Sequence, residues 1–290
     1  MGLILSAVGH GAKAIDWKDV KIVRILLNFY ITDLNKYRVL NNQSILTPMV
    51  EKGLKSKKDM DELIDRIKCY QLLMKKSNPA IIADGRIDPD SATEKKLIEG
   101  LASGFSVKKI ELVEPWVKFE DTSRYDNFFQ KLLDYYSINT NLRRSNFIGQ
   151  VLVESDKFRT AQEYADGSEY EGRTNLGNTQ AGDGPRFKGR GLIQLTGRKN
   201  YEEFEKYMNI SFTGLNDGAN RDKISQDPWM AIVVSCWFWS KNSINDWCDA
   251  DNAKNVSKLV NAGSINKPDS KVNGLKERLD YTKRAKIVKI

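Results

Sequence analysis

The spacing of apolar residues constrains the fold most, because it recurs at helical intervals over much of the 290-residue chain. In the first such stretch, Val20, Val23, Leu27 and Ile31 follow the spacing of one helix face. Asp16 stands where the N-cap of that helix, predicted over residues 16–31, would lie. Alternating apolar and polar runs, which predict strands, are few. The pattern therefore predicts a mainly α protein.

Further segments with helical periodicity divide into two groups along the chain. They cover residues 59–76, 91–101, 125–136, 142–154, 198–208, 227–241, 252–261 and 272–286. Between the groups the pattern weakens, and Gly104 and Pro115 bracket a predicted linker. We therefore expect a small helical domain over residues 1–115 and a second domain over residues 116–290. Residues 159–191 are polar and glycine-rich, and long irregular segments of this kind are usually functional or disordered.

The single histidine, His10, excludes several kinds of catalytic site. A Ser–His–Asp triad, a Cys–His pair and an HExxH zinc site each need a histidine at the reacting group, and we interpret this glycine-flanked one as incidental. Cys69, Cys236 and Cys248 are too few and too scattered for a zinc or disulfide framework. The last two could pair in principle, but buried free thiols are the simpler interpretation. Catalysis would therefore rely on carboxylates.

The net charge of +8 is spread over both predicted domains rather than held in a basic tail. A basic protein suits an anionic polymer such as nucleic acid or bacterial cell wall, although a mixed solvated surface gives the same count. The sequence has no cluster of basic residues of the kind that would indicate nucleic-acid binding. No apolar run approaches the roughly 20 residues of a membrane span. The segment Met1–Val8 has no basic start, and we interpret it as carrying no signal peptide.

Glu154 closes an apolar helical run and is the first candidate catalytic residue. A carboxyl in such a position has little access to water, and desolvation favours the protonated form that a general acid needs. From periodicity alone, a surface glutamate paired with Lys157 or Arg159 is the simpler interpretation. Glu163 follows nine residues later, which on one continuous helix is the opposite face, roughly 13.5 Å along the axis.

A helix end near residues 155–158 would let the chain fold back and bring Glu163 across from Glu154. Inverting glycosidases hold an acid and a base about 6.5–9.5 Å apart, with a water between base and sugar. Glu169 and Glu171 lie in the same irregular segment and compete with Glu163 for the role of base.

A second block over residues 179–201 carries polar side chains in a glycine-rich setting. Gln194 and Thr196 alternate on a predicted extended piece and would point the same way, with Asn200 in the next turn. Converging polar groups suit sugar hydroxyls, and a turn-stabilising polar network is the alternative. The Gly189-Arg-Gly segment lacks the spacing of a phosphate-binding loop.

These residues carry a resemblance to a known family. Residues 187–201, Phe-Lys-Gly-Arg-Gly-Leu-Ile-Gln-Leu-Thr-Gly-Arg-Lys-Asn-Tyr, resemble the signature segment of glycoside hydrolase family 19, which contains plant-type chitinases and phage endolysins. The segment from Phe147 to Glu163 is similar to the endolysin branch. Near the end, Leu259-Val-Asn-Ala-Gly and Asn273-Gly-Leu-Lys-Glu-Arg resemble the closing motif, with Ala262 in place of its first glycine and residues 263–273 before Gly274.

The resemblance covers about residues 120–290 and implies a bilobal, lysozyme-like catalytic domain that needs no metal or organic cofactor. It implies that Glu154 is the general acid, that Glu163 is the general base of an inverting reaction, and that Thr196 positions the water. By the same resemblance, the substrate-binding residues are Gln194, Asn200, Tyr201, Asn261 and Arg278. For the tryptophans at 237 and 239, in a strongly apolar helix, core packing is the favoured interpretation.

The N-terminal part is similar to helical peptidoglycan-binding modules, through Val8-Gly-His-Gly-Ala and Ala83-Asp-Gly-Arg-Ile-Asp-Pro-Asp. Asp88 stands where that motif has glycine, Pro89 is kept, and Thr93 comes two places late. A module that docks on a secretion or phage component is the alternative.

The resemblances together predict a monomeric muramidase, of the lysozyme class, that cleaves the β-1,4 glycan backbone of bacterial peptidoglycan. We expect it to be made in the cytoplasm, to act on the wall in the periplasm, and to bind neither nucleic acid nor membrane. It would be a phage endolysin delivered through a holin, or an antibacterial effector delivered by a secretion machine and matched by an immunity protein. A chitinase on the same fold and a non-catalytic wall-glycan-binding protein are the alternatives.

Overall fold

The structure, a computed structural model, describes residues 2–13, 16–49 and 56–290. In this part of the chain, fifteen α-helices accompany one two-stranded sheet, and the predicted mainly α class is confirmed. The chain forms two compact units. The first comprises the described residues of Met1–Ser103 with Glu111–Trp116 and Ile287–Lys289, and the second comprises Gly104–Ile110, Val117–Lys286 and Ile290. The predicted boundary between residues 115 and 116 stays a prediction.

The first unit is a helical module with a short strand pair. Its helices are α1 (Trp17–Phe29), α2 (Ile31–Leu40), α3 (Lys57–Lys75) and α4 (Ala92–Glu99), and β1 (Val8–Gly9) pairs antiparallel with β2 (Arg86–Ile87). Asp16 accepts a hydrogen bond from the Lys18 amide at 2.8 Å, so the predicted N-cap of α1 is confirmed. The helix ends at Phe29 rather than at residue 31, and α2 follows almost at once.

Buried carboxylates tie the N-terminal segment to the helices of this unit. Glu94 is 1% exposed and accepts the amides of Leu3 and Ile4 at 2.5 and 2.8 Å. Asp19, on α1, accepts the amide of Ser6 at 2.7 Å. Since buried backbone amides need partners, these two side chains fix the path of a segment that has almost no regular structure.

The remaining helices follow in chain order. They are α5 (Val107–Val113), α6 (Phe119–Ser123), α7 (Asp126–Tyr135), α8 (Asn141–Glu154), α9 (Asp183–Arg186), α10 (Arg198–Met208), α11 (Gly218–Gln226), α12 (Pro228–Lys241), α13 (Ile244–Asp249), α14 (Ala253–Ala262) and α15 (Leu275–Ile287). Helix α5 occupies the stretch between Gly104 and Pro115, where a linker or a domain boundary was predicted, and buries Ile110, Leu112 and Val113. The stretch is therefore not an irregular linker, but the division between the two units falls within and beside it. No helix of the described residues combines the length and apolar character that a membrane crossing needs.

Helix α12 organises the second unit because it is apolar on all sides. Trp237 packs on Phe204 with ring centroids 5.0 Å apart, and Trp239 packs on Phe147 at 5.1 Å. Residues two positions apart along a helix point about 200° apart around its axis. Trp237 and Trp239 therefore pack into apolar clusters on opposite sides of α12. Both side chains are buried, which confirms the prediction that they belong to the core.

A glycine sets the approach of α8 to α15. A Cβ at Gly149 would lie 2.2 Å from Thr282 Oγ1 and 3.1 Å from the carbonyl oxygen of Arg278. Only the absence of a side chain lets the two helices pack at this distance. This close packing places the start of α15 beside the end of α8, where Glu154 lies.

Candidate active site

A left-handed turn ends α8 directly after Glu154. Asp156, Lys157 and Phe158 have φ angles of 45°, 60° and 67°, although none of them is glycine. The hydroxyl of buried Ser155 donates to the helix at 2.6 Å and accepts the Phe158 amide at 2.9 Å. Left-handed conformations cost about 1–2 kcal/mol each, and the buried Phe158 ring and these bonds hold the turn in place. The helix therefore ends where the sequence predicts a break.

Glu154 is held by a buried arginine from α15. Arg278 Nη2 lies 2.6 Å from Glu154 Oε1, and the two side chains are 1% and 14% exposed. The other guanidinium nitrogens donate to Gln150 Oε1 at 2.8 Å and to the Asn273 carbonyl at 2.9 Å. Among the described residues none donates to Glu154 Oε2, so this oxygen is available to a ligand. Arg278, expected to bind substrate, instead orients Glu154.

Glu163 is fixed by a bridge between two loop segments. Its amide donates to the Gly189 carbonyl at 3.0 Å, and the Gly189 amide donates back to Glu163 Oε2 at 2.9 Å. Tyr170 donates its hydroxyl proton to Glu163 Oε1 at 2.8 Å. Burial, together with this carboxylate, raises the pKa of Tyr170, so its hydroxyl stays protonated and remains a donor at neutral pH. Both carboxylate oxygens are therefore oriented.

A cavity of about 830 Å³ in the second unit collects most of the predicted site residues. Its lining includes Glu154, Gln194, Thr196, Asn200 and Asn261. Thr196 donates to the Gln194 carbonyl at 2.9 Å, and Asn200 donates to the Thr196 carbonyl at 2.8 Å. Gln194 has a φ of 58°, so the piece is a tight turn rather than the extended piece predicted. Its two polar side chains still reach the same cavity.

Glu163 is not itself among the described residues that line this cavity. It is bonded to Tyr170, which does line it. A Cβ at Gly189 would lie 3.3 Å from Glu163 Oε2 and 2.6 Å from Gln194 Oε1, so the absence of a side chain there lets Glu163 and Gln194 come close together. Glu163 therefore sits next to the wall of the cavity that carries Tyr170 and Gln194.

The other two candidate bases have different environments. Glu171 accepts the amides of Gly182 and Gly184, each at 2.7 Å, so both of its oxygens hold the surrounding loop. Glu169 is exposed and lines the cavity. Glu163 accepts the hydroxyl proton of Tyr170, a residue of the cavity lining, at 2.8 Å.

Tyr201 does not reach the cavity, although it was expected to bind substrate. It is fully buried, donates to the Lys188 carbonyl at 2.9 Å, and accepts from Arg190 Nη1 at 3.0 Å. The side chain supports the loop that carries Gly189. The ring lies on the face of α10 that packs into the core with Phe204. The position of Tyr201 in the motif does not by itself show that the side chain is buried there.

The cavity-lining residues that were not predicted from the sequence include Tyr170, Arg173, Lys267 and Lys271. They lie in the irregular segments before α10 and after α14. In such segments the direction of a side chain does not follow a regular sequence period, so it could not be predicted. The three cysteines are buried free thiols, as predicted. Within the described residues, no group of three or more His, Cys, Asp or Glu side chains could hold a metal ion.

Comparisons with known proteins find local similarity to three of them. A glycosyl hydrolase family 19 domain-containing protein of Haemophilus influenzae is 27% identical over 109 residues, which are 38% of this chain and 46% of that protein. Chitinase 4 and Chitinase 5 of Oryza sativa subsp. japonica are 39% and 36% identical over 59 residues, which are 20% of this chain and 19% of each chitinase. These matches support a glycoside hydrolase family 19 domain in this chain.

The matches are partial. The chain spans about half the length of the Haemophilus influenzae relative, at 46%, and about a fifth of each rice chitinase. No protein-family profile matches the chain. The family 19 domain is thus supported by local similarity together with the mainly helical fold.

Proposed function

We propose that this protein is a glycoside hydrolase that cleaves the β-1,4 glycan backbone of bacterial peptidoglycan as a muramidase. The observation that carries the proposal is the left-handed turn after Glu154. It brings two carboxylates, nine residues apart in the chain, to one cavity, Glu154 in its lining and Glu163 bonded to the lining residue Tyr170. A pair of carboxylates beside a polar cavity is the arrangement that glycoside hydrolysis requires.

In the proposed reaction Glu154 gives a proton to the glycosidic oxygen as the bond to the anomeric carbon breaks. Its Oε2 is the oxygen left free by Arg278. Glu154 has to carry that proton when the bond breaks. The leaving sugar departs with a new hydroxyl, so the proton is accounted for.

A water attacks the anomeric carbon from the opposite face and gives its proton to Glu163, which inverts the configuration. Tyr170 holds Glu163 Oε1 at 2.8 Å, so the base is oriented before substrate arrives. Thr196, whose hydroxyl lies in the cavity wall, positions the water. Gln194, Asn200 and Asn261 supply amide groups for the hydroxyl and acetamido groups of the sugars.

Peptidoglycan is proposed as the substrate because the catalytic segments resemble those of endolysins and because the first unit resembles wall-binding modules. We also propose that the protein acts as a monomer on the wall in the periplasm, without membrane insertion or nucleic acid as partner. A holin or a secretion machine would deliver it, and an immunity protein would protect the producing cell in the second case.

A chitinase is the second candidate, and it is favoured by the similarity to the two rice chitinases. Chitin and peptidoglycan share β-1,4-linked N-acetylated sugars, so the same two carboxylates would serve either polymer. A non-catalytic glycan-binding protein is the third candidate, and the ordered Glu163–Tyr170 pair argues against it.

The test is digestion of purified Gram-negative sacculi by the wild-type protein and by Glu154→Gln, with the soluble products identified by mass spectrometry. Disaccharide-peptides ending in reducing N-acetylmuramic acid, absent with the variant, would support the muramidase. Reducing N-acetylglucosamine ends would move the cut to the other bond. Release from chitin oligomers but not from sacculi would favour the chitinase, and binding to sacculi without any release would favour the non-catalytic protein.

A further inference from the structure

Three cationic side chains line the catalytic cavity from two different walls. Arg173 belongs to the loop after Tyr170, and its guanidinium lies 5.7 Å from that ring's centroid. Lys267 and Lys271 belong to the segment over residues 263–273, between α14 and α15. All three are exposed, and no described carboxylate lies within ion-pair distance of them. The cavity therefore presents positive charge toward its ligand.

The lysines of the segment over residues 263–273 are not neutralised by the carboxylate of that segment. Its one carboxylate, Asp269, is bound to Lys254 and Lys258 of α14, each at 2.9 Å. Those two lysines hold the pKa of Asp269 below its ordinary value, so it stays charged and paired. The carboxylate of Asp269, which lies between Lys267 and Lys271 in the chain, is thus paired with lysines of α14 instead of with either of these two.

The C-terminal end of the same segment is also anchored. The Asn273 amide donates to Asn261 Oδ1 at 2.8 Å, and the side chain of Val272 is only 6% exposed. These contacts fix the backbone directly after the Asp269 pairing. Since the segment is held in this way, the two lysines have a defined place in the cavity wall. This is also the stretch by which the sequence departs from the closing motif of the family.

The cavity's acidic groups do not cancel these charges. Glu154 is paired with Arg278, which lies behind it in the core. Glu169 is the other carboxylate among the described lining residues, and it is exposed. Three unpaired cations against one unpaired carboxylate leave the cavity with an excess of positive charge, which favours an anionic ligand.

We propose that Arg173, Lys267 and Lys271 select glycans that carry free carboxylates, so that the enzyme prefers peptide-substituted peptidoglycan over neutral chitin. The inference rests on the proposed function. Alternate sugars of peptidoglycan carry short peptides that end in carboxylates, whereas the sugars of chitin carry none. A lysine or arginine at the cavity wall binds such a carboxylate, and a neutral polymer gains nothing from it.

The test compares Lys267→Gln/Lys271→Gln with the wild-type protein on three polymers. They are intact sacculi, the same sacculi after carbodiimide coupling to ethanolamine has converted their carboxylates into neutral amides, and chitohexaose. The matched control is Lys131→Gln/Lys206→Gln, which removes the same charge from two exposed positions outside the cavity lining. Exposed ion pairs each contribute modestly, so we expect kcat/KM on intact sacculi to fall about tenfold, mainly through KM.

On the amidated sacculi and on chitohexaose the double variant should lose no more activity than the control variant. Adding Arg173→Gln should deepen the loss on intact sacculi only. An equal loss on all three polymers, or no loss beyond that of the control on intact sacculi, would overturn the inference. If the wild-type protein cleaves none of the polymers, the proposed function fails, and co-sedimentation with intact and amidated sacculi then decides the inference: equal binding of both by the wild type overturns it.

Discussion

Replacing Gly149 by alanine tests how the packing of α8 against α15 supports the catalytic acid. The added Cβ would lie 2.2 Å from Thr282 Oγ1, 3.0 Å from the Thr282 amide nitrogen and 3.1 Å from the Arg278 carbonyl oxygen. Two of these atoms are backbone, so the helices have to move apart. The movement would carry Arg278 away from Glu154, whose oxygen it holds at 2.6 Å.

The expected cost follows from two opposing contributions. Alanine is favoured over glycine inside a helix by about 0.5–1 kcal/mol. Overpacking a close helix contact costs about 1–3 kcal/mol. The free energy of unfolding of the second unit should therefore fall by about 1–2 kcal/mol in Gly149→Ala. For a unit of this size, the corresponding melting temperature should fall by about 2–8 °C.

The assay is calorimetry of the whole chain, which resolves the unfolding of the second unit, together with the initial rate on sacculi. Gly218→Ala is the matched control, because Gly218 starts α11 and its Cβ would lie no closer than 3.8 Å from Arg221. The control should be unchanged or up to about 1 kcal/mol more stable. Gly149→Ala should also be less active, because Glu154 loses its orienting arginine.

Thr282→Ala in the Gly149→Ala background provides a rescue. It removes the nearest clashing atom, and Thr282 Oγ1 has no hydrogen-bond partner among the described residues, so its loss costs no bond. Part of the stability should return, because the two backbone contacts remain. A Gly149→Ala protein as stable and as active as the Gly218→Ala control would refute the packing argument.

Three further predictions concern single side chains. Burial opposes the charge of Asp183, but Arg198 holds the pKa of Asp183 below 3.8, so its contribution to stability is complete above pH 3.8 and is lost as the pH falls further. Asp183→Asn should therefore be less stable at pH 7 and show a shallower loss below pH 4 in urea unfolding; a loss parallel to that of the wild type would contradict this. Tyr170→Phe removes a bond to a carboxylate of about 1.5–3 kcal/mol, so steady-state kinetics should show kcat at least about tenfold lower with KM little changed, and an unchanged kcat would argue against an oriented base. Arg278→Met breaks the buried ion pair with Glu154 and should lower the free energy of unfolding, measured by calorimetry, by about 3–5 kcal/mol. An unfolding transition equal to that of the wild type would contradict this.

Helices with a clear apolar stripe, or with an almost wholly apolar sequence such as α12, could be predicted from the sequence, whereas α2 and α11, which have neither, could not. The stretch over residues 198–208 shows a strong period and is helical over that range. Helix α2 buries only Leu34, and α11 buries only Arg221 and Ile224, so neither gives a periodic signal. Their helical state is set by tertiary packing, which outweighs the weak local preference.

The site divides in a similar way. Residues in the motif segments, such as Glu154 and Thr196, could be placed at a cavity because the motif fixes the backbone that carries them. Tyr170 and Lys267 could not, because their segments are irregular and their contacts are distant in sequence. Arg278 was assigned to substrate although its three bonds all lie within the protein, since a sequence pattern does not tell a buried cation from an exposed one.

The most direct test of the central claim is to compare the initial rates of Glu154→Gln, Glu163→Gln and Glu171→Gln on sacculi, with circular dichroism to show that each variant is folded. General acid and base catalysis each contribute about 10²–10⁴-fold. We expect the first two variants to lose at least about 100-fold and Glu171→Gln, whose oxygens hold a loop, to keep most of its activity. An active Glu163→Gln beside an inactive, folded Glu171→Gln would contradict the assignment of the base, and an active Glu154→Gln would contradict the assignment of the acid.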